Sequence, residues 1–172
     1  MIFRLSEKLN AKIKGGALKV HPLDENPYAD WSGHLFTVER TRYILLSNTK
    51  SLYSIVMYGK GITHDGQFID RALSTIREFM QDDGQQFAYH RFIAPASATV
   101  TSAKAFNRSV TGSMNELIAH ATLWLAEGEL SPHDVAFRLN DILISSLPGP
   151  DGRGYGRPRE AFKALLGSTP AA

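Results

Sequence analysis

The apolar positions of this chain change period along its length, and each change marks a different kind of element. Ile2-Phe3-Arg4-Leu5 alternates as a short strand does. Ser6 can then cap a helix through Leu9 and Ile13 that stops at the pair Gly15-Gly16. Residues 17–30 place Pro22 and Pro27 among polar positions and form a loop. Three runs rich in β-branched and aromatic residues follow, "HLFTVE", "RYILLS" and "LYSIVMY". Their short polar separators predict an antiparallel meander, and because both alternations are apolar the sheet is expected to be covered on much of both faces.

The period then becomes helical. In "THDGQFIDRALSTIREFMQDDG" the residues Phe68, Ile69, Ala72, Leu73, Ile76, Phe79 and Met80 share one stripe, with Thr63 or Asp65 as cap and Gly84 as the stop. "FAYHRFI" and "ATVTSAKAF" are expected to be two more strands, divided by Pro95. From about residue 110 Met114, Leu117, Ile118, Ala121 and Leu125 make one helical stripe, and Val135, Leu139, Ile142 and Leu143 another. Ser131, Pro132 and Asp134 are well chosen to open the second. The expected fold class is α+β: a single domain with a mixed, mostly antiparallel sheet of about five or six strands, packed helices and a helical C-terminal part.

A length of 172 residues suits one domain, placed at residues 1–147. Residues 148–172 are set apart as a Gly/Pro-rich basic tail. "PGPDGRGYGRP" is too rich in glycine and proline to pack, although "REAFKALLG" can form a terminal helix, so deleting 148–172 is expected to leave the melting temperature almost unchanged. The tail carries Arg153, Arg157, Arg159 and Lys163 against Asp151 and Glu160, which accounts for the whole formal charge of +2. A neutral body with a mildly basic tail weighs against nucleic acid as a partner. No cysteine is present, which removes disulfides, thiol catalysis and thiolate metal sites together. The charged N-terminal segment is unlike a secretory signal, and no apolar run approaches the roughly 20 residues of a membrane helix. These features predict a soluble, cytoplasmic protein with no membrane partner.

Candidate chemistry is sparse. The histidines stand at 21, 34, 64, 90, 120 and 133, so no local pair can hold a metal; neither a metal nor a cofactor is expected. There is no nucleophile elbow and no phosphate-binding glycine loop. Phe36, Tyr43, Tyr53 and Tyr58 beside Arg40 and Arg42 could stack single-stranded bases, but aromatics in strands are ordinarily packing. The most deliberate stretch is "FNRSVTGSMNEL", residues 106–117. Ser113 and Glu116 can form a capping box, which by itself contributes on the order of 1 kcal/mol. Asn107, Arg108, Ser109 and Thr111 add donors ahead of a helix terminus that favours anions, and Gly112 permits a positive φ or a close backbone approach. No catalytic residue is singled out. Arg108 is expected to be held by an internal hydrogen bond.

The stretches Met1 to Leu9, Trp31 to Gly59 and Asn107 to Leu117 resemble a bacterial domain-of-unknown-function family of short stand-alone proteins with an N-R-S-x-x-G-S-M-N-[DE] motif. The resemblance spans roughly residues 1 to 147 and leaves the glycine-rich tail outside. It implies no activity, but it marks Trp31, Asn107, Arg108, Ser109, Gly112, Ser113 and Asn115 as the ligand-binding candidates to test. Three functions stay open: a non-enzymatic binding or protein-interaction domain, with a protein partner or a second copy; a small enzyme acting on a phosphorylated or carboxylated metabolite, with Arg108 as anion clamp; and a nucleic-acid accessory protein.

Overall fold

The computed structural model describes residues 1–168. Strand β1 (Ile2–Leu5) leads into α1 (Glu7–Lys12), whose N-cap Ser6 accepts a hydrogen bond from the N–H of Leu9. Strands β2 (Asp30–Val38), β3 (Thr41–Asn48) and β4 (Ser54–Tyr58) form the expected antiparallel meander. Helix α2 (Asp65–Asp82) follows, then the short α3 (Gln86–Ala88), β5 (Thr101–Lys104), α4 (Arg108–Ala126), α5 (Pro132–Leu139) and α6 (Pro158–Ala164). The five strands make one sheet in the order β4-β3-β2-β1-β5, with β1 parallel to both of its neighbours. The chain is an α+β protein with a mixed sheet and a helical C-terminal part. Among the described residues no helix is long and apolar enough to cross a membrane.

Alternation along the meander sends side chains to two apolar layers. Ile44, Leu46, Ile55 and Met57 join Phe3, Leu5, Leu9, Phe68, Ile76 and Met80 on the face covered by α1 and α2. Phe36, Val38, Tyr43, Leu45 and Val56 meet Met114, Leu117, Ala121, Val135 and Leu139 of α4 and α5 on the other. Trp31 lies fully buried in the first layer, its indole Nε1 donating to the carbonyl of Tyr28 at 2.8 Å. The aromatic set considered for base stacking is mostly packing: Phe36, Tyr43 and Tyr53 are buried, and only Tyr58 is half exposed.

Several local expectations are corrected. "FAYHRFI" is helical, with α3 running into a π-helical turn over Tyr89–Ile93. A strand would have sent Phe92 and Ile93 to opposite faces, whereas the helical turn lets both reach the first layer, where Phe92 stacks on Tyr28 at 4.6 Å. The cap of α2 is His64, not Thr63 or Asp65, because its Nδ1 accepts from the N–H of Gln67 while Gln67 in turn caps Thr63. Gly84 does end that helix, at φ 72°. Helix α5 opens with the expected Ser131–Asp134 capping box but stops at Leu139, leaving Ile142 and Leu143 in the following loop.

Of the segment set apart as a tail, residues 169–172 lie outside the described residues, and the described part packs on the body. Phe162 of α6 is fully buried, stacked on Tyr53 at 4.3 Å and edge-on to Tyr28 at 5.0 Å. Arg159 forms ion pairs with Asp83 and Asp141, and the Tyr53 hydroxyl donates to Asp83 at 2.6 Å. Burial, and then the bond to Asp83, push the Tyr53 phenol far above its ordinary value, so it stays a neutral donor in that network. Glycine and proline here do not prevent packing, because the bulky residues that carry it lie just beyond them.

Candidate functional site

The stretch 106–117 is a helix start, but not the one its capping box suggests. Asn107 is the N-cap, its Oδ1 accepting from the N–H of Val110 at 2.9 Å, and the Thr111 hydroxyl donates to the Asn107 carbonyl. Ser113 therefore sits inside α4, where its own N–H belongs to the helical ladder and cannot receive Glu116. Its side chain is buried and shares a 2.6 Å hydrogen bond with the Ser146 hydroxyl. Asn107, Arg108, Ser109, Gly112 and Asn115 face solvent along the outer side of the helix. The Arg108 side chain makes no hydrogen bond or ion pair among the described residues, contrary to the internal bond expected for it. Trp31 is on the opposite face of the sheet from α4, so the structure does not bring it together with the other candidates.

Gly112 has an ordinary helical backbone, and a Cβ added there would meet nothing within 4 Å. Replacing it with alanine should therefore raise stability by about 0.5–1 kcal/mol in a denaturant titration, the ordinary helix-propensity gain. Arg108→Ala should change stability by less than about 0.5 kcal/mol. A destabilising Gly112→Ala would show that something packs closely against that face.

What the inward half of the stretch supports is a cleft of about 480 Å³ that sequence reasoning missed. One wall is the loop after α5, from Leu147 and Pro148 through Pro150 and Tyr155 to Arg157; the other is Glu160, Ala161, Ala164 and Leu165. Lys50 and Leu143 complete the lining. The loop is closed by reciprocal backbone hydrogen bonds between Ile144 and Gly156, at 2.8 and 3.2 Å. The loop needs glycine at two positions, 149 and 156. A Cβ on Gly156 would stand 2.3 Å from the Pro148 carbonyl oxygen, and one on Gly149 would stand 2.3 Å from that of Arg153. The Ser113–Ser146 bond ties this loop to α4, and Ile144 and Leu147 are buried in the same apolar layer as Met114 and Leu117.

Lys50 is presented by a rigid turn between β3 and β4. The Asn48 Oδ1 accepts from both the N–H and the hydroxyl of Ser51, while its Nδ2 donates to the carbonyls of Pro27 and Asp30. The turn ends at Leu52, a buried leucine at φ 60° whose conformation is sustained by its place in the second layer. The cleft thus has an apolar lining with three charged groups. Arg157 uses its Nε on the Asp141 carbonyl, Glu160 lies 3.6 Å from Lys163, and Lys50 has no hydrogen bond or ion pair among the described residues. Leu143 and Tyr155 are 55% and 60% exposed there, so folding leaves apolar surface uncovered at this place. Among the described residues no group of three or more histidine, aspartate or glutamate side chains is arranged to hold a metal ion. The glycines of the loop are visible in the sequence, but they fit a tail that does not pack equally well and do not by themselves report a cleft.

A family model described as a domain of unknown function, DUF6933, matches residues 2–161, and the chain belongs to that family. No curated protein and no solved structure matches the chain. The match extends past residue 147 and takes in the loop 148–157 and the start of α6, so most of the cleft lies within the family's own extent.

Proposed function

We propose that this member of the family is a non-enzymatic binding domain, and that its site is the cleft between the Lys50 turn, the loop 143–157 and α6. The observation that carries this reading is an apolar cleft of about 480 Å³ whose lining keeps Leu143 and Tyr155 in contact with water. Small-molecule sites fall in the same range of volume and are mostly apolar with a few polar groups. Exposed apolar surface gathered at one concavity is ordinarily there to be covered. The three charged groups of the lining are a lysine, an arginine and a glutamate already opposed by Lys163, with no paired nucleophile and base, which favours binding over catalysis. The alternative of a metabolite enzyme clamped by Arg108 has less support, since that side chain lies on an exposed helical face with no partner among the described residues. A nucleic-acid role has less again, since most of the aromatic set is buried.

The test is a thermal-shift screen of the full chain against metabolites, nucleotides and oligonucleotides. A ligand at a hundredfold excess over its Kd adds about 2.7 kcal/mol to stability. That shift should disappear in Leu143→Asp, whose exposed position allows the fold to persist. A shift that survives Leu143→Asp and vanishes in Arg108→Ala would move the site to the start of α4. Oligonucleotide binding that weakens steeply with salt would favour the nucleic-acid reading instead.

A further inference from the structure

We infer that the cleft selects an amphipathic small molecule with a single carboxylate, its apolar chain laid along the cleft and its acid group between Lys50 and Arg157. This rests on the cleft being the binding site and adds the charge and shape of what enters it. The lining holds two cations against one carboxylate, and that carboxylate is opposed by Lys163. Lys50 is exposed and has no hydrogen bond or ion pair among the described residues, so a ligand anion breaks no existing pair to reach it. Arg157 spends its Nε on a backbone carbonyl, which orients the guanidinium and leaves its terminal nitrogens to take an acid group. The rest of the lining is leucine, proline, alanine, glycine and one tyrosine, which favours hydrocarbon or an aromatic ring over a sugar or a polyphosphate. The Lys50 turn is fixed by Asn48 and the loop by its glycine closure, so the cationic groups are carried by backbone already ordered before the ligand arrives.

The experiment compares octanoate, 1-octanol and octyltrimethylammonium by titration calorimetry on the full chain. Octanoate should bind roughly tenfold tighter than octanol, a factor equal to about 1.4 kcal/mol, and the cationic amphiphile should bind least. Lys50→Glu and Arg157→Gln should each weaken octanoate by about tenfold while leaving octanol unchanged, with melting curves confirming the fold. Raising the salt should weaken octanoate alone. Equal binding of octanoate and octanol, abolished by Leu143→Asp, would overturn the charge selection and leave the cleft as a site. Preference for the cation would overturn it too and make Glu160 the selecting group. Failure of all three to bind, or octanoate binding indifferent to Leu143→Asp, Lys50→Glu and Arg157→Gln, would remove both this inference and the reading it rests on.

Discussion

A chain ending at Arg157 should lose on the order of 5 kcal/mol of stability, and its melting temperature should fall by roughly 10–20 °C if it still folds. The reason is local and specific. Phe162 is fully buried among Tyr28, Trp31 and Tyr53, and deleting a buried phenylalanine side chain alone costs about 3–5 kcal/mol through lost transfer energy and the cavity left behind. Truncation also removes Arg159, leaving Asp83 with only the Tyr53 hydroxyl among the side chains that bond it here, a further cost of about 1–3 kcal/mol. Set against the roughly 5–15 kcal/mol of an ordinary domain, this is a large share of the total. Calorimetry of the truncated chain beside Phe162→Leu and Phe162→Ala would separate the terms: Phe162→Leu should cost least, Phe162→Ala more, and the truncation most. A shift below about 2 °C on truncation would mean that α6 contributes nothing to the fold.

The second large effect is expected at the other end of the chain, where Arg4 and Asp30 form an ion pair only 1% and 2% exposed. The guanidinium meets the carboxylate through two bonds, Nε to Oδ1 at 2.8 Å and a terminal nitrogen to Oδ2 at 2.7 Å. It also donates to the carbonyls of His21 and Pro22, and the ring of Phe106 lies 5.0 Å away. Adjacent parallel strands supply the two partners, Arg4 from β1 and Asp30 from β2, so the pair staples the sheet to the loop 17–30. Asp30→Ala should cost about 3–5 kcal/mol, because it strands a buried cation rather than merely deleting an attraction. The double change Arg4→Met with Asp30→Ala should recover part of that loss, since no charge is then buried. Denaturant midpoints of the two single variants and the double would decide it. A double variant as unstable as the sum of the singles would mean that the loop contacts, not the charge, carry the cost.

The signals legible in the sequence were those whose cause is local. The Ser6 cap, the Ser131–Pro132–Asp134 opening of α5 and the stop at Gly84 each act within one turn of helix. The stripe from Phe68 to Met80 and the double alternation of β3 and β4 report a period and a covered face, and both follow from side-chain direction along regular backbone. Where two local signals competed, tertiary contact chose between them. Asn107 and Ser113 are both good N-caps, and Asn107 prevails in a structure where Ser113 meets Ser146, 33 residues on, and Met114 and Leu117 enter the second layer. "FAYHRFI" departs from its local signal in a related way: its aromatic residues favour strand in isolation, and in the helical turn Phe92 stacks on Tyr28. The cleft lay beyond any such signal. Its lining joins Lys50 to residues 143–165, and no pattern within a few residues can report that a turn and a loop separated by most of the chain will meet. The same holds for Phe162 and for Arg4, whose roles depend on which partners the fold brings within reach. Caps and periods are set by a residue's neighbours in the chain, whereas cavities and buried charges are set by its neighbours in space.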